Sequence, residues 1–273
     1  MKKYSLLNLV LLLPYCCVYG QPGKSNSQLN LSIGSSFPVG QFANKNIRND
    51  KAGIASVGGV INISYQSPLK KNIGFSVSLL AQINPTDRHS MERSFSQLGF
   101  PSFFVWTGPA IPTNPTPPPA TTYPNWSFNR SSWKLGSLLV GGYSEFKTGR
   151  SKIVFTPKAM AGLVYAGSPK IDGKSVTDTS YVHATQTSES AFGFGYLVEA
   201  GLKFRLTHKI SFIASVGYFG TNRITFKDIV ASVTVIKHPN DQAAMSVSQM
   251  QVTANGKQVI SSINFLAGIA LKL

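Results

Sequence analysis

Alternation of apolar and small polar residues with a period of two recurs eight times along this chain, and it limits the possible folds most. Leu29, Leu31 and Ile33 share one face of the first run, with Asn30, Ser32 and Gly34 on the other. Val57, Ile61, Ile63 and Tyr65 do the same in the second, and Ile73, Phe75, Val77, Leu79 and Ala81 in the third. The fourth sets Trp133, Leu135, Leu139 and Tyr143 against Lys134, Gly136, Gly142 and Ser144. Runs at 153–165, 192–204, 210–218 and 263–271 complete the set; Pro157 interrupts the fifth, because proline cannot donate to a ladder. Most are about ten residues long, the length a tilted strand needs to cross a bilayer. A soluble sandwich also alternates, but its solvent face carries Lys, Glu, Asp and Arg. Here the second faces are mostly Gly, Ser, Asn and Thr, which suit the crowded inside of a narrow barrel. Closure also leaves no strand edge unsatisfied in lipid.

The connections alternate as well. Short turns fall at 66–72, 147–150 and 207–209, and long segments at 38–51, 84–132, 167–189 and 221–258. Three short and four long connections are what eight strands give when both chain ends lie on one side. The pattern therefore predicts an all-β fold: a closed antiparallel transmembrane β-barrel of about eight strands, with short periplasmic turns and long outer loops. Alternating valines in the last long segment (Val233, Val235, Val247, Val252) leave a ten-stranded barrel as the architectural alternative. If the first strand runs outward, Trp133, Tyr165, Phe192 and Tyr218 form one aromatic girdle. Tyr65, Phe75, Tyr143 and Phe204 then form the other.

Charge supports this reading. Only 13% of residues are charged, against about a quarter in soluble domains, and the net charge is +16. A basic chain invites a nucleic-acid reading, but Lys2, Lys3, the apolar stretch 6–18 and small Gly20 spell an export signal. An exported chain meets other anions, so the expected partners are outer-membrane lipid, anionic lipid head groups or surface polysaccharide, with no nucleic acid. The expected division is a signal peptide at 1–20 and a barrel domain at 21–273. Cys16 and Cys17 both lie in the signal, and Tyr15 before Cys16 makes a poor lipidation site. The remainder has no cysteine for a disulfide or a thiolate metal site. No later apolar run approaches the roughly 20 residues of a membrane-spanning helix.

Several stretches resemble the bacterial outer-membrane β-barrel domain family, the small barrels that include PorT-like proteins. They are Leu31-Ser-Ile-Gly34 running into Phe37-Pro-Val-Gly-Gln-Phe42, Phe155-Thr-Pro-Lys158 with Ala161-Gly-Leu163, the run 194–203, and the closing Ala267-Gly-Ile-Ala-Leu-Lys272. The resemblance implies a lipid-embedded barrel. It supplies no common catalytic residues, and members differ in function.

Two features bear on chemistry. Lys158, Glu199, Lys203, Lys134 and Gln82 share the parity assigned to the lumen, and Lys158 and Glu199 fall near mid-strand on neighbouring runs. A buried charge is costly unless paired, so these two are expected to form an ion pair plugging a lumen already filled by side chains. The segment 84–132 carries Pro112, Pro115, Pro117, Pro118 and Pro119, which favour an extended conformation preorganised for docking a protein partner. His89, Ser90 and Glu92 have the residue types of a nucleophile and base, but three neighbours on one loop rarely have the geometry. His183, His208 and His238 stand alone in sequence. No metal-ligand spacing or phosphate-cradling glycine motif occurs. A non-enzymatic barrel without cofactor is expected, its loops mediating structural or partner interactions. A narrow channel or accessory subunit of transport or secretion machinery, and a lipid-modifying enzyme, are the alternatives.

Overall fold

The computed structural model describes residues 27–47, 49, 51–70, 72–98, 125–147, 152–176, 180–237 and 246–273. In chain order the elements are β1 (Gln28–Pro38), α1 (Gly40–Ala43), β2 (Gly58–Lys70), β3 (Ile73–Pro85), α2 (Arg88–Leu98), β4 (Ser127–Phe128) and β5 (Ser132–Ser144). They continue as β6 (Phe146–Lys147), β7 (Ile153–Gly167), β8 (Ile171–Val176), β9 (Ser180–Gln186), β10 (Ser190–Arg205), β11 (Ile210–Lys237) and β12 (Ser246–Lys272). Eight of the strands close a ring in the order β1-β2-β3-β5-β7-β10-β11-β12, each antiparallel to its neighbours. The seam that shuts the ring joins β1 to β12 from Gln28↔Lys272 to Pro38↔Ser262.

The ring is apolar outside and mixed inside, where buried polar side chains share the lumen with apolar clusters such as Val60, Leu80 and Leu266. Leu31, Ile33, Leu163, Phe194, Val198 and Phe265 point outward and are exposed, whereas Asn30, Ser36, Asn62, Gln82, Lys158 and Glu199 are buried in the lumen. Water would make such an outer surface costly, at about 25 cal/mol per Å² of apolar area; a bilayer removes that cost. Pairing on both sides of each ring strand gives the inter-strand backbone groups the partners that lipid requires. Val198, 56% exposed, lies midway along β10. Val198→Arg is expected to cost about 2–4 kcal/mol in lipid. Unchanged unfolding of that variant in lipid vesicles would contradict the membrane-facing assignment.

Strand β5 corrects one part of the sequence reading. Trp133, Leu135, Leu139 and Tyr143 face the lumen and are buried, while Lys134 faces outward and is exposed. The run is apolar on both faces, since Leu138 and Val140 line the other side, so periodicity alone does not fix which face turns inward. Trp133 and Tyr143 therefore leave the aromatic girdles. The girdle pairs at the surface are Tyr165–Phe192 with centroids 5.3 Å apart, Tyr65–Phe75 at 6.2 Å and Phe204–Phe212 at 6.2 Å.

Pro157 is accommodated by a break in the ladder. Pairing of β5 with β7 ends at Tyr143↔Lys158 and resumes only at Phe146↔Phe155 through β6. Between them the Glu145 amide donates instead to the Asn72 carbonyl at 2.8 Å, so Pro157 faces a gap in which no donor is needed.

The last long segment does not add strands to the ring. It lengthens β11 and β12 into a hairpin paired as far as Lys237↔Ser246, well beyond the end of β1. The steps Gly220 to Arg223 and Phe226 to Ile229 each place an extra residue in β11, and Asp228 adopts a positive φ of 56° at the second.

Candidate functional site

The lumen is built in layers. Near the closing seam, Asn30 Nδ2 donates to Ser64 at 3.3 Å, Ser78 bonds Asn62, Ser262 donates to Gln82 at 3.2 Å, and Gln82 Nε2 donates to Asn84 at 2.6 Å. Opposite them, Lys158 Nζ lies 2.7 Å from Glu199 Oε1, with side chains 7% and 3% exposed. The register pairs these residues directly, Glu199↔Lys158, and inward parity on both strands aims them at one point. Glu199 Oε2 has no hydrogen-bond partner among the described residues. Toward the turn end, Lys203 Nζ contacts Glu145 Oε1 at 2.5 Å and Gln28 Oε1 at 2.8 Å. The space beside this cluster measures about 10 Å³, room for roughly one water.

At the loop end the filling turns apolar. Phe42 of α1, Trp133 and Phe226 stack edge to face at 5.7 and 5.8 Å, and Trp133 Nε1 donates to the Gly53 carbonyl at 2.8 Å. Phe42 and Phe226 are almost wholly buried. Trp133 thus places its large apolar body in the mouth with its one donor satisfied.

Above this plug the sheet continues beyond the ring. The extension of β11 pairs with β9, β9 with β8, and β8 with β4, giving the order β12-β11-β9-β8-β4. Ile54, Met91, Phe95, Trp126, Phe128, Val182, Ala184 and Val233 form a core beneath it. Trp126 and Phe128 stack at 5.7 Å with Phe95 against both. A cavity of about 130 Å³ separates this sheet from the plug. The period-two signal of the third long segment, Ile171 to Gln186, is too short and too polar to stand out in sequence. Its strands form only because β11 supplies an edge.

Helix α2 is capped by Asp87, whose Oδ1 accepts the Ser90 amide at 2.9 Å. Burial acts to raise the Asp87 pKa, but hydrogen bonds from Lys45 and the Ser90 amide, with the Lys45 charge, outweigh it and hold the carboxyl below its usual range. His89, Ser90 and Glu92 all lie on this helix. Glu92 is engaged by Arg88 at 2.6 Å and by the Phe128 amide at 3.4 Å, and His89 meets Arg93 at 3.0 Å. No hydrogen bond joins His89, Ser90 and Glu92 to one another among the described residues. His183 is not alone: its Nε2 lies 3.1 Å from Asp172 Oδ1. His208 is exposed at the last turn, and His238 lies outside the described residues. So do Pro112, Pro115, Pro117, Pro118 and Pro119, the segment 1–20 expected to be an export signal, and both cysteines. Among the described residues no group of three His, Cys, Asp or Glu side chains is placed to hold a metal ion.

Charge at the loop end is one-sided. Lys51, Arg130, Lys170, Lys174, Arg223, Lys227 and Lys257 are exposed. None of them forms an ion pair among the described residues; Asp87, Glu92 and Asp172 are engaged elsewhere, and Asp228 and Glu189 are the remaining described acids at this end.

No family model matches the chain, and no curated protein matches it. Among solved structures it is similar to Neisserial surface protein A, with 10% identity over 92% of this chain and 99% of that one, and a TM-score of 0.45. A major outer membrane protein from Thermus thermophilus gives 11% identity over 90% and 99%, with a TM-score of 0.41. Ail, the attachment invasion locus protein of Yersinia pestis, solved with the heparin analogue sucrose octasulfate, gives 11% over 90% and 99%, with a TM-score of 0.37. Identities this low leave function open.

Proposed function

We propose that the protein is a non-enzymatic outer-membrane barrel with a closed lumen, whose loop-end sheet is a docking platform presented at the cell surface. The observation that supports this most is the double closure beneath a folded sheet. The Lys158–Glu199 layer fills mid-lumen, and the Phe42–Trp133–Phe226 plug fills the mouth. The three strands added to the extended β11–β12 pair above the ring have their own core, so this end is a built surface rather than a set of bare connections. Its unpaired cations suit an anionic partner, such as lipid head groups or surface polysaccharide.

In this reading the segment 1–20 exports the chain, the turn end faces the periplasm, and the apolar belt of the ring meets lipid. The Lys158–Glu199 pair acts as a luminal plug. Conductance across planar bilayers tests the reading. Purified protein is expected to give no sustained current above the bare bilayer. A steady single-channel current would overturn it in favour of the narrow-channel alternative.

A further inference from the structure

The loop-end sheet has two edges, and they are treated differently. At one, β8 is only six residues long, carries Asp172 and Lys174, and is partly covered by β4 at Gly173 and Lys174. These are the devices that keep an edge from recruiting strangers. At the other, β12 loses its neighbour where β1 stops. The last contacts are Pro38↔Ser262 and the Val39 amide to the Ser261 carbonyl at 3.0 Å. Beyond Ser261, no described strand pairs with that side of β12, although β11 pairs with the other side to Ser246.

This free edge has none of the protections of the first. From Gln249 to Asn255 it reads Gln-Met-Gln-Val-Thr-Ala-Asn, without charge, proline or glycine. The two irregularities in the ladder fall in β11, so β12 alternates without a slip. The Ser261 carbonyl points to the β1 side, and counting back in twos sends the peptide groups of Asn255, Thr253 and Gln251 to the same open side. Met250, Val252 and Ala254 sit across from Val233, Ala231 and Ile229 and continue their apolar row to the edge, with Met250 45% exposed. At the foot of the edge stand Lys51 and Lys257; the Lys51 carbonyl accepts Gln258 Nε2 at 3.3 Å.

We infer that the β12 edge from Gln249 to Asn255 takes an extended acidic segment of a partner protein as an added strand. The backbone groups supply the ladder, the Met250–Val252–Ala254 row takes alternate apolar side chains, and Lys51 and Lys257 take the intervening carboxylates. Antiparallel pairing with a second copy in the same membrane does not fit, because it inverts one barrel relative to the other.

The inference rests on the platform reading, and the test separates the two. The protein in lipid nanodiscs is titrated with a fluorescent ten-residue peptide alternating Val and Glu. Two controls alternate Val with Lys, or carry N-methyl groups on alternate amides. The acidic peptide is expected to bind saturably, and N-methylation to abolish binding. Lys51→Glu with Lys257→Glu, or added salt, is expected to weaken it about tenfold. Thr253→Pro removes a donor from the open side only and keeps the β11 ladder, so binding is lost while the barrel keeps its heat-dependent gel shift. Four results would overturn the inference: no binding up to about 1 mM, equal binding of both charged peptides, indifference to N-methylation, or two-copy particles that exclude the peptide. If the barrel carries no current yet fails with the peptide, only the edge is lost; a steady current removes the platform itself.

Discussion

Gly268→Val is expected to prevent the barrel from closing, and Gly34→Val to do the same from the other side of the seam. Both glycines lie on the lumen side of the β1–β12 pairing, and the backbones approach closely there. A Cβ on Gly34 would stand 1.7 Å from the Phe265 carbonyl oxygen, and one on Gly268 would stand 2.0 Å from that of Leu31. Neither obstacle is the end of a flexible side chain, so a whole strand has to move. Ordinary overpacking costs about 1–3 kcal/mol, and displacing the seam adds the ladder it carries. Gly59→Val is the matched control, because a Cβ at Gly59 meets nothing within 4 Å. Gel mobility with and without boiling reads the result. The seam variants are expected to run as a single unfolded band, and Gly59→Val to shift like the parent. A normal shift for Gly268→Val would show that the strands are not so close.

The second large effect is expected at the luminal pair. Glu199→Ala leaves the Lys158 ammonium buried with no opposing carboxylate and with space nearby for about one water. Removing one member of a buried pair costs about 3–5 kcal/mol. The urea midpoint of tryptophan fluorescence, measured in vesicles, is expected to fall accordingly. The double change Lys158→Met with Glu199→Leu is expected to recover most of the loss, because it removes both desolvation costs at once. An unchanged midpoint for Glu199→Ala would mean that the pair contributes nothing to the closed state. Failure of the double variant to recover would instead assign the pair a role in specifying the lumen packing.

What was legible in the sequence was what periodicity encodes. Phe192 to Phe204 alternates with only Leu197 against it, and Ile153 to Tyr165 keeps Thr156 and Lys158 on one face although Val154, Met160 and Val164 share it, so the inward positions 158 and 199 follow from parity. Strand β5 was not legible in this way, because Leu135 and Leu139 on one face compete with Leu138 and Val140 on the other. The hydrophobic pattern fixes a register only when the two faces differ. In the first run Gly34, Ser35 and Ser36 carry little β signal, yet β1 extends to Pro38 because β2 pairs with it to Ser36 and β12 to Pro38. Strands β8 and β9 and the core of Phe95, Trp126 and Phe128 depend wholly on tertiary partners. Local alternation in 171–186 is weak, and aromatics so far apart in sequence give no sign that they meet.

The unbroken course of β11 and β12 from lipid into the loop end has a mechanical consequence. The loop end of the hairpin, at Lys237 and Ser246, is not hinged to the barrel by a separate connection; it belongs to the same pair of strands, paired from Ile210↔Leu271 to Lys237↔Ser246 with two irregularities between. A pull on this end along the strands loads many hydrogen bonds side by side, in shear, and passes through β12 into the β1 seam. The loop end is therefore a stiff lever with its fulcrum in the bilayer, yielding first in bending at the two β11 irregularities rather than by peeling away.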